Sequence, residues 1–152
     1  MAIKVTEYQR ADRSELIPLL LIGDADEKQV NAYVNSGRIF VATDDNDIVG
    51  VVLVIAVDSS TLEIKNIAVA LDAQGRGIGT ELLEFVCSYF AEGYSRAIVG
   101  TGDADVQNIL FYLKRGFRFY AIKKGFFDAY SQQLVDNGVV LKDMVMLEKN
   151  LR

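Results

Sequence analysis

The run Ile67-Ala68-Val69-Ala70-Leu71-Asp72-Ala73-Gln74-Gly75-Arg76-Gly77-Ile78-Gly79-Thr80 constrains the chain more than any other segment. It reads as an apolar strand that enters a glycine-rich turn. The turn opens onto an amphipathic helix expected from Glu81 to Glu92. Such a junction presents unpaired backbone N–H groups with the positive end of a helix dipole behind them. That arrangement holds a phosphate or pyrophosphate without a metal.

What the chain lacks narrows the chemistry further. It has 152 residues and no histidine. Ser-His-Asp and Cys-His triads are therefore excluded, and so are zinc sites with His ligands. Acid–base work falls to Asp, Glu, Tyr, Lys or Cys. The single cysteine, Cys87, forms no internal disulfide and is expected as a buried small hydrophobe on the helix. The formal charge is −5, against a broad nucleic-acid surface. No apolar run reaches the roughly 18 residues of a membrane span, and Met1-Ala2-Ile3-Lys4 does not open a signal peptide. A cytoplasmic protein is expected, with one domain over residues 1–152.

Periodicity and turn chemistry divide the chain into elements. Ile3 to Tyr8 reads as a strand, and Leu16 to Ile22 as a short helix with Ser14 as N-cap and Pro18 in its first turn. Asp24 or Asp26 is expected to cap a second helix running through Asn35 to Gly37. Ile39 to Thr43 and Ile48 to Val57 form a hairpin about the turn Asp44-Asp45-Asn46-Asp47. Thr61 to Val69 is the strand before the glycine turn. In the following helix, Leu82, Leu83, Phe85, Val86, Tyr89 and Phe90 share an apolar face. Ala97 to Val99 is a short strand with an irregular exit at Gly100 and Gly102. A helix from Val106 to Lys114, capped by Asp103 or Asp105, stops at Gly116. Phe117 to Ile122 is a strand, Lys123 to Gly138 is irregular or partly helical, and Val139 to Leu147 is again a strand. Early hairpins followed by β-α-β-α-β predict an α/β (α+β) three-layer domain. Its mixed central sheet should be antiparallel at the front, with a parallel pair beside the glycine turn.

Rival phosphate motifs do not fit Gln74-Gly75-Arg76-Gly77-Ile78-Gly79. A dinucleotide fingerprint needs G-x-G-x-x-G, and a P-loop needs Lys after its last glycine. The pattern Gln-x-x-Gly-x-Gly is instead that of coenzyme A pyrophosphate binding. Together with Leu62 to Val69 and with Leu110-Phe111-Tyr112-Leu113-Lys114-Arg115-Gly116-Phe117, it resembles the GNAT superfamily of N-acetyltransferases, and Val139 to Leu147 resembles the ending of its bacterial small-substrate subgroup. The order of expected elements from Ile3 to Phe119 agrees.

The resemblance implies acetyl-CoA as co-substrate and no metal. It implies that the backbone of Ile67, Ala68 and Val69 pairs with the pantetheine arm where the strand parts from its parallel neighbour. Gln74, Gly75, Arg76, Gly77, Ile78, Gly79 and Thr80 would hold the pyrophosphate, with Arg76 as an added cation. The three glycines exceed what a tight turn needs, which suits close approach of a ligand. Tyr112 would serve as the acid at the coenzyme A sulfur. Glu63, 11 residues before Gln74, occupies the place of a general base in some family members. Its alternative is an exposed strand Glu paired with Lys65. Many family members carry a cofactor-contacting Asn where this chain has Asp105, so that role passes to Asn108, one helical turn on.

Three residues are candidates for the acceptor. Asn66 is either a substrate contact or a core Asn satisfying backbone. Phe127 and Tyr130 lie in Phe126-Phe127-Asp128-Ala129-Tyr130, whose aromatic faces and carboxylate suit an ammonium, or which forms a satellite core under a loop. The expected function is acetyl transfer to a primary amine of a small molecule, directly within a ternary complex, with a homodimer as a possible assembly. The alternatives are a non-catalytic acyl-CoA-binding domain and a protein Lys or N-terminal acetyltransferase.

Overall fold

The computed structural model describes residues 3–152. Met1 and Ala2, the start of the stretch read as lacking a signal peptide, lie outside the described residues. The elements in chain order are β1 (Ile3–Tyr8), α1 (Ile17–Gly23), α2 (Glu27–Tyr33), β2 (Arg38–Asp44), β3 (Asp47–Ala56), β4 (Thr61–Val69), α3 (Ile78–Tyr89), β5 (Arg96–Gly102), α4 (Val106–Lys114), β6 (Arg118–Lys123), β7 (Val135–Asp136), β8 (Val139–Val140) and β9 (Met144–Asn150). Short 3-10 turns precede α1 and α3 and cover Phe126–Ala129. No described helix is long and apolar enough to cross a membrane.

Seven strands form one mixed sheet in the order β1-β2-β3-β4-β5-β9-β6. Only β4 and β5 run parallel. β7 and β8 form a separate small hairpin. The β2–β3 turn places Asp45 and Asn46 at positive φ, the geometry that follows strand twist in a two-residue hairpin. One face of the sheet is covered by α3, through Ile78, Leu82, Leu83 and Val86 on Phe40, Val52, Val54, Leu62 and Ile64. The other is covered by α1, the 3-10 turn before it and α2, through Leu16, Leu20, Val30 and Tyr33 on Ile39, Val41, Leu53 and Ala68. The three expected layers are present.

Several local expectations need correction. Ser14 does not cap α1. It lies in the 3-10 turn, and its own N–H donates to the Asp12 carboxylate. Asp26, not Asp24, is the N-cap residue of α2, and its carbonyl accepts from Val30 N–H, but its carboxylate makes no cap bond because Ser131 takes it. α2 ends at Tyr33 and not at Asn35. The helix after the glycine turn starts at Ile78, since Gly77 supplies the left-handed entry, and it ends at Tyr89. Tyr89 is 51% exposed and lies under the Arg38 guanidinium instead of in the core. Gly100 and Gly102 are not an irregular exit. They lie within β5, and a Cβ on either would collide with Met144 or Leu141. The last strand is split, because Leu141 to Asp143 leave the ladder between β8 and β9.

Candidate active site

The site begins where two strands separate. β4 pairs with β5 from Thr61↔Arg96 to Ile64↔Val99 and no further. At that point β4 carries a bulge: Ile64 faces Val54 and Asn66 faces Leu53, which leaves Lys65 as the extra residue. An extra residue bends a strand and exchanges its faces. Leu62 and Ile64 therefore lie on the α3 face, and after the bulge Ile67 and Val69 do. Asn66 and Ala68 face α1 and α2.

The parted edge exposes backbone. Ala70 N–H donates to the Val49 carbonyl on β3. Alternation along an antiparallel strand then directs the peptide groups of Ala68 toward β3, and those of Ile67 and Val69 toward the cleft. Of Ile67, Ala68 and Val69, the first and last thus turn peptide groups to the cleft, and Ala68 does not. The Val69 carbonyl already accepts from Gln74 Nε2 at 3.0 Å. Gln74 thus fixes the strand end from its side chain, a role not expected from the motif.

The glycine turn closes one end of the cleft. Gly75 and Gly77 have φ of +81° and +78°. These left-handed values account for two of the three glycines through the turn itself, so ligand approach is needed only for the third. Gly79 has an ordinary helical backbone, and a Cβ there would meet nothing closer than Phe111 at 3.7 Å. No side chain caps α3, so the N–H groups of its first turn, at Ile78, Gly79 and Thr80, remain available to an anion. Arg76 pairs with Asp44 at 3.2 Å beside the turn. Arg115, which sequence reasoning missed, donates to the Thr80 hydroxyl and lies over the Phe111 ring. A second guanidinium thus flanks the same helix start. The only signal for it was a cation within the Tyr-x-x-x-Gly-Phe block.

Two cavities meet around α4. One, of about 260 Å³, is lined by Ile67, Ala68, Val69, Gln74, Gly79 and Phe111. The other, of about 310 Å³, is lined by Glu63, Asn66, Asp24, Phe126, Phe127 and Tyr130. Tyr112 and Asn108 border both. The Asp105 carboxylate caps α4 by accepting from Asn108 N–H, and it also takes Asn108 Nδ2 at 2.8 Å. It therefore orients the side chain that stands at the junction. Tyr112 is 4% exposed. Burial, aided by the Asp105 charge, pushes its phenol well above the ordinary tyrosine range, so it remains an O–H donor.

Asn66 is the core Asn that satisfies backbone, and it also borders the larger cavity. It is 4% exposed. Its Nδ2 donates to the Leu20 carbonyl at 2.8 Å and to Tyr33 Oη at 2.9 Å, while its Oδ1 has no partner. Lys65 lies over the Tyr33 ring, 5.2 Å from its centroid, and is not paired with Glu63. Cys87 is partly buried against the α3 core, and burial raises its thiol pKa, as suits an inert thiol.

A family model for the GNAT acetyltransferase domain matches residues 35–119. The uncharacterized N-acetyltransferase YvbK of Bacillus subtilis is 32% identical over 147 residues, covering 95% of each chain. A GNAT family acetyltransferase from Elizabethkingia anophelis, solved with acetyl-CoA bound, superposes with a TM-score of 0.89 at 32% identity, over 97% of both chains. A Bacillus subtilis acetyltransferase in complex with CoA gives 0.88 at 29% identity, over 99% of this chain and 100% of that one. The chain belongs to the GNAT acetyltransferase family. It is an N-acetyltransferase.

Proposed function

We propose that the protein moves an acetyl group from acetyl-CoA to a primary amine of a small molecule, directly within a ternary complex. The observation that carries this reading is the meeting of two cavities at Tyr112, one backed by the parted strand and glycine turn, the other by Glu63 and aromatic rings. The residues present fit the co-substrate: an uncapped helix start, the open space at Gly75 and Gly77, and the cleft-facing peptide groups of Ile67 and Val69. When bound, acetyl-CoA supplies an acetyl group activated as a thioester.

The chain's own groups do the rest. Peptide groups of Ile67 and Val69 orient the pantetheine arm by adding it as a strand. Amides from Gly75 to Thr80 hold the pyrophosphate, with Arg76 and Arg115 as nearby cations. Glu63 takes a proton from the acceptor ammonium, directly or through water, so that the neutral amine attacks. As nitrogen bonds the acetyl carbon and the carbon–sulfur bond breaks, Tyr112 Oη donates its proton to the departing sulfur, and the proton shed by the acylated nitrogen restores the phenol. The partial burial of Cys87 on α3 argues against an acetyl-cysteine route. Phe126, Phe127 and Tyr130 wall the acceptor cavity, which favours a small acceptor over a protein chain. A lone, partly buried thiol suits a reducing compartment, and we place the enzyme in the cytosol.

Thiol release from acetyl-CoA, measured with a panel of small primary amines and a lysine-containing peptide, tests this reading. Saturable turnover with at least one small amine, and little with the peptide, is expected. Turnover with the peptide alone would overturn the acceptor class.

A further inference from the structure

From residue 118 to residue 140 no residue is fully buried, and the three rings this stretch supplies to the acceptor cavity are half-buried. Apolar burial alone therefore does not fix its position. The rings pack on one another, with Phe127 and Tyr130 centroids 4.8 Å apart and Phe126 and Phe127 5.1 Å apart. What ties them to the opposite wall is polar. Tyr130 Oη donates to Asp24 Oδ1 at 2.7 Å. Ser131 N–H and Oγ donate to the two oxygens of Asp26, each at 3.0 Å. Asp24 and Asp26 lie in the loop between α1 and α2.

The anchor continues inward. Tyr33 Oη donates to Asp24 Oδ2 at 2.8 Å and accepts from Asn66 Nδ2. Asn66 belongs to β4, just past the bulge that opens the cleft. A chain of hydrogen bonds thus runs from the parted strand through Tyr33 and Asp24 to the ring of Tyr130. Both phenols are held in the neutral donor form, chiefly by burial and also by the Asp24 carboxylate. Asp26 is 6% exposed, so its two bonds to Ser131 are shielded from water.

We propose that Asp24 and Asp26 are positioning residues that set acceptor specificity, by latching segment 126–134 across the acceptor cavity. The inference rests on the small-amine reading above and adds which residues enforce it. With the latch closed, the cavity admits a slender amine. With the latch open, the same catalytic groups face a wider mouth that takes an amine on a larger body.

Wild type, Tyr130→Phe and Ser131→Ala are compared as full chains by amide hydrogen exchange and by steady-state kinetics. Tyr130→Phe keeps the ring and removes one O–H. Exchange of amides 126–134 should rise about tenfold or more, the size expected from one hydrogen bond to a charged acceptor. The ratio of kcat/KM for a lysine-containing peptide to that for a small primary amine should rise as well. Affinity for acetyl-CoA should hold within about twofold, since the cofactor cavity is untouched. Unchanged exchange, or faster exchange with an unchanged ratio, overturns the proposal. Ser131→Ala decides it if Tyr130→Phe does not fold. If wild type turns over no amine, the function reading fails, while the exchange data still judge the latch.

Discussion

The two walls of the cleft are built in opposite ways. The cofactor wall is local and made of backbone: β4, the turn at residues 74–77, and α3 follow one another without a break. The acceptor wall joins residues about a hundred positions apart, through the bonds of Asp24 and Asp26 to Tyr130 and Ser131. One wall is set by left-handed glycines and a helix start, the other by carboxylates accepting from hydroxyl and amide donors. A local backbone wall tolerates drift in surrounding side chains and so holds the same ligand. A side-chain latch is retuned by single substitutions, which suits the part of an enzyme that selects its acceptor.

The largest expected effect falls on the cofactor wall. Gly77→Asp should lower acetyl-CoA affinity by at least about a hundredfold by calorimetry, because it sets a negative charge in the proposed diphosphate cradle. Gly77→Ala provides the contrast. Nothing lies within 4 Å of a Cβ there, so only the φ of +78° opposes it. It should cost about 1–2 kcal/mol of stability and leave substantial binding. Equal binding losses in the two variants would mean that the turn acts through its shape alone.

Next come the groups at the junction. Tyr112→Phe should reduce kcat by about a hundredfold, with acetyl-CoA affinity nearly unchanged. Full turnover across the pH range would remove Tyr112 from the chemistry. Glu63→Gln should lower kcat/KM for the amine by about ten- to a hundredfold, with acetyl-CoA affinity nearly unchanged. Undiminished turnover would move the base elsewhere.

The same contrast decides what could be read from the sequence. The helix from Val106 to Lys114 was legible to the residue, because Asp105 before it and Gly116 after it are local signals. The parallel pair and the glycine turn were legible for the same reason. The bulge at Lys65 was not, since it depends on the register against β3. Arg115 was missed because its partner, Thr80, is 35 residues away. Asp24 or Asp26 reads as a helix cap, since an Asp ahead of a helix usually is one. In the fold Asp26 holds the N-cap position, but Ser131 wins its carboxylate and phenols win that of Asp24. No periodicity encodes such a choice. On α4, where the cap reading of Asp105 holds, Asp105→Ala should cost about 1 kcal/mol, visible as a lowered Tm. It should also raise the KM for acetyl-CoA modestly by freeing Asn108.

The smallest effect expected is one of pH, and it separates the walls without any mutation. Donation from Ser131 N–H holds the Asp26 carboxyl below the usual carboxylate range. Its stabilisation is therefore full above the unfolded value of about 4 and fades only as pH falls through the depressed folded value. Burial and the Asp24 carboxylate raise the Tyr130 phenol, so its contribution is full below the unfolded value of about 10 and fades as pH climbs through the folded one. Between those limits the latch should not respond to pH, and exchange of amides 126–134, corrected for intrinsic rates, should be flat. Below about pH 4 it should rise before that of amides 66–70, whose β3 ladder contains no titrating partner. Simultaneous loss of both would mean that the acceptor wall is no separate unit but part of the sheet's own cooperativity.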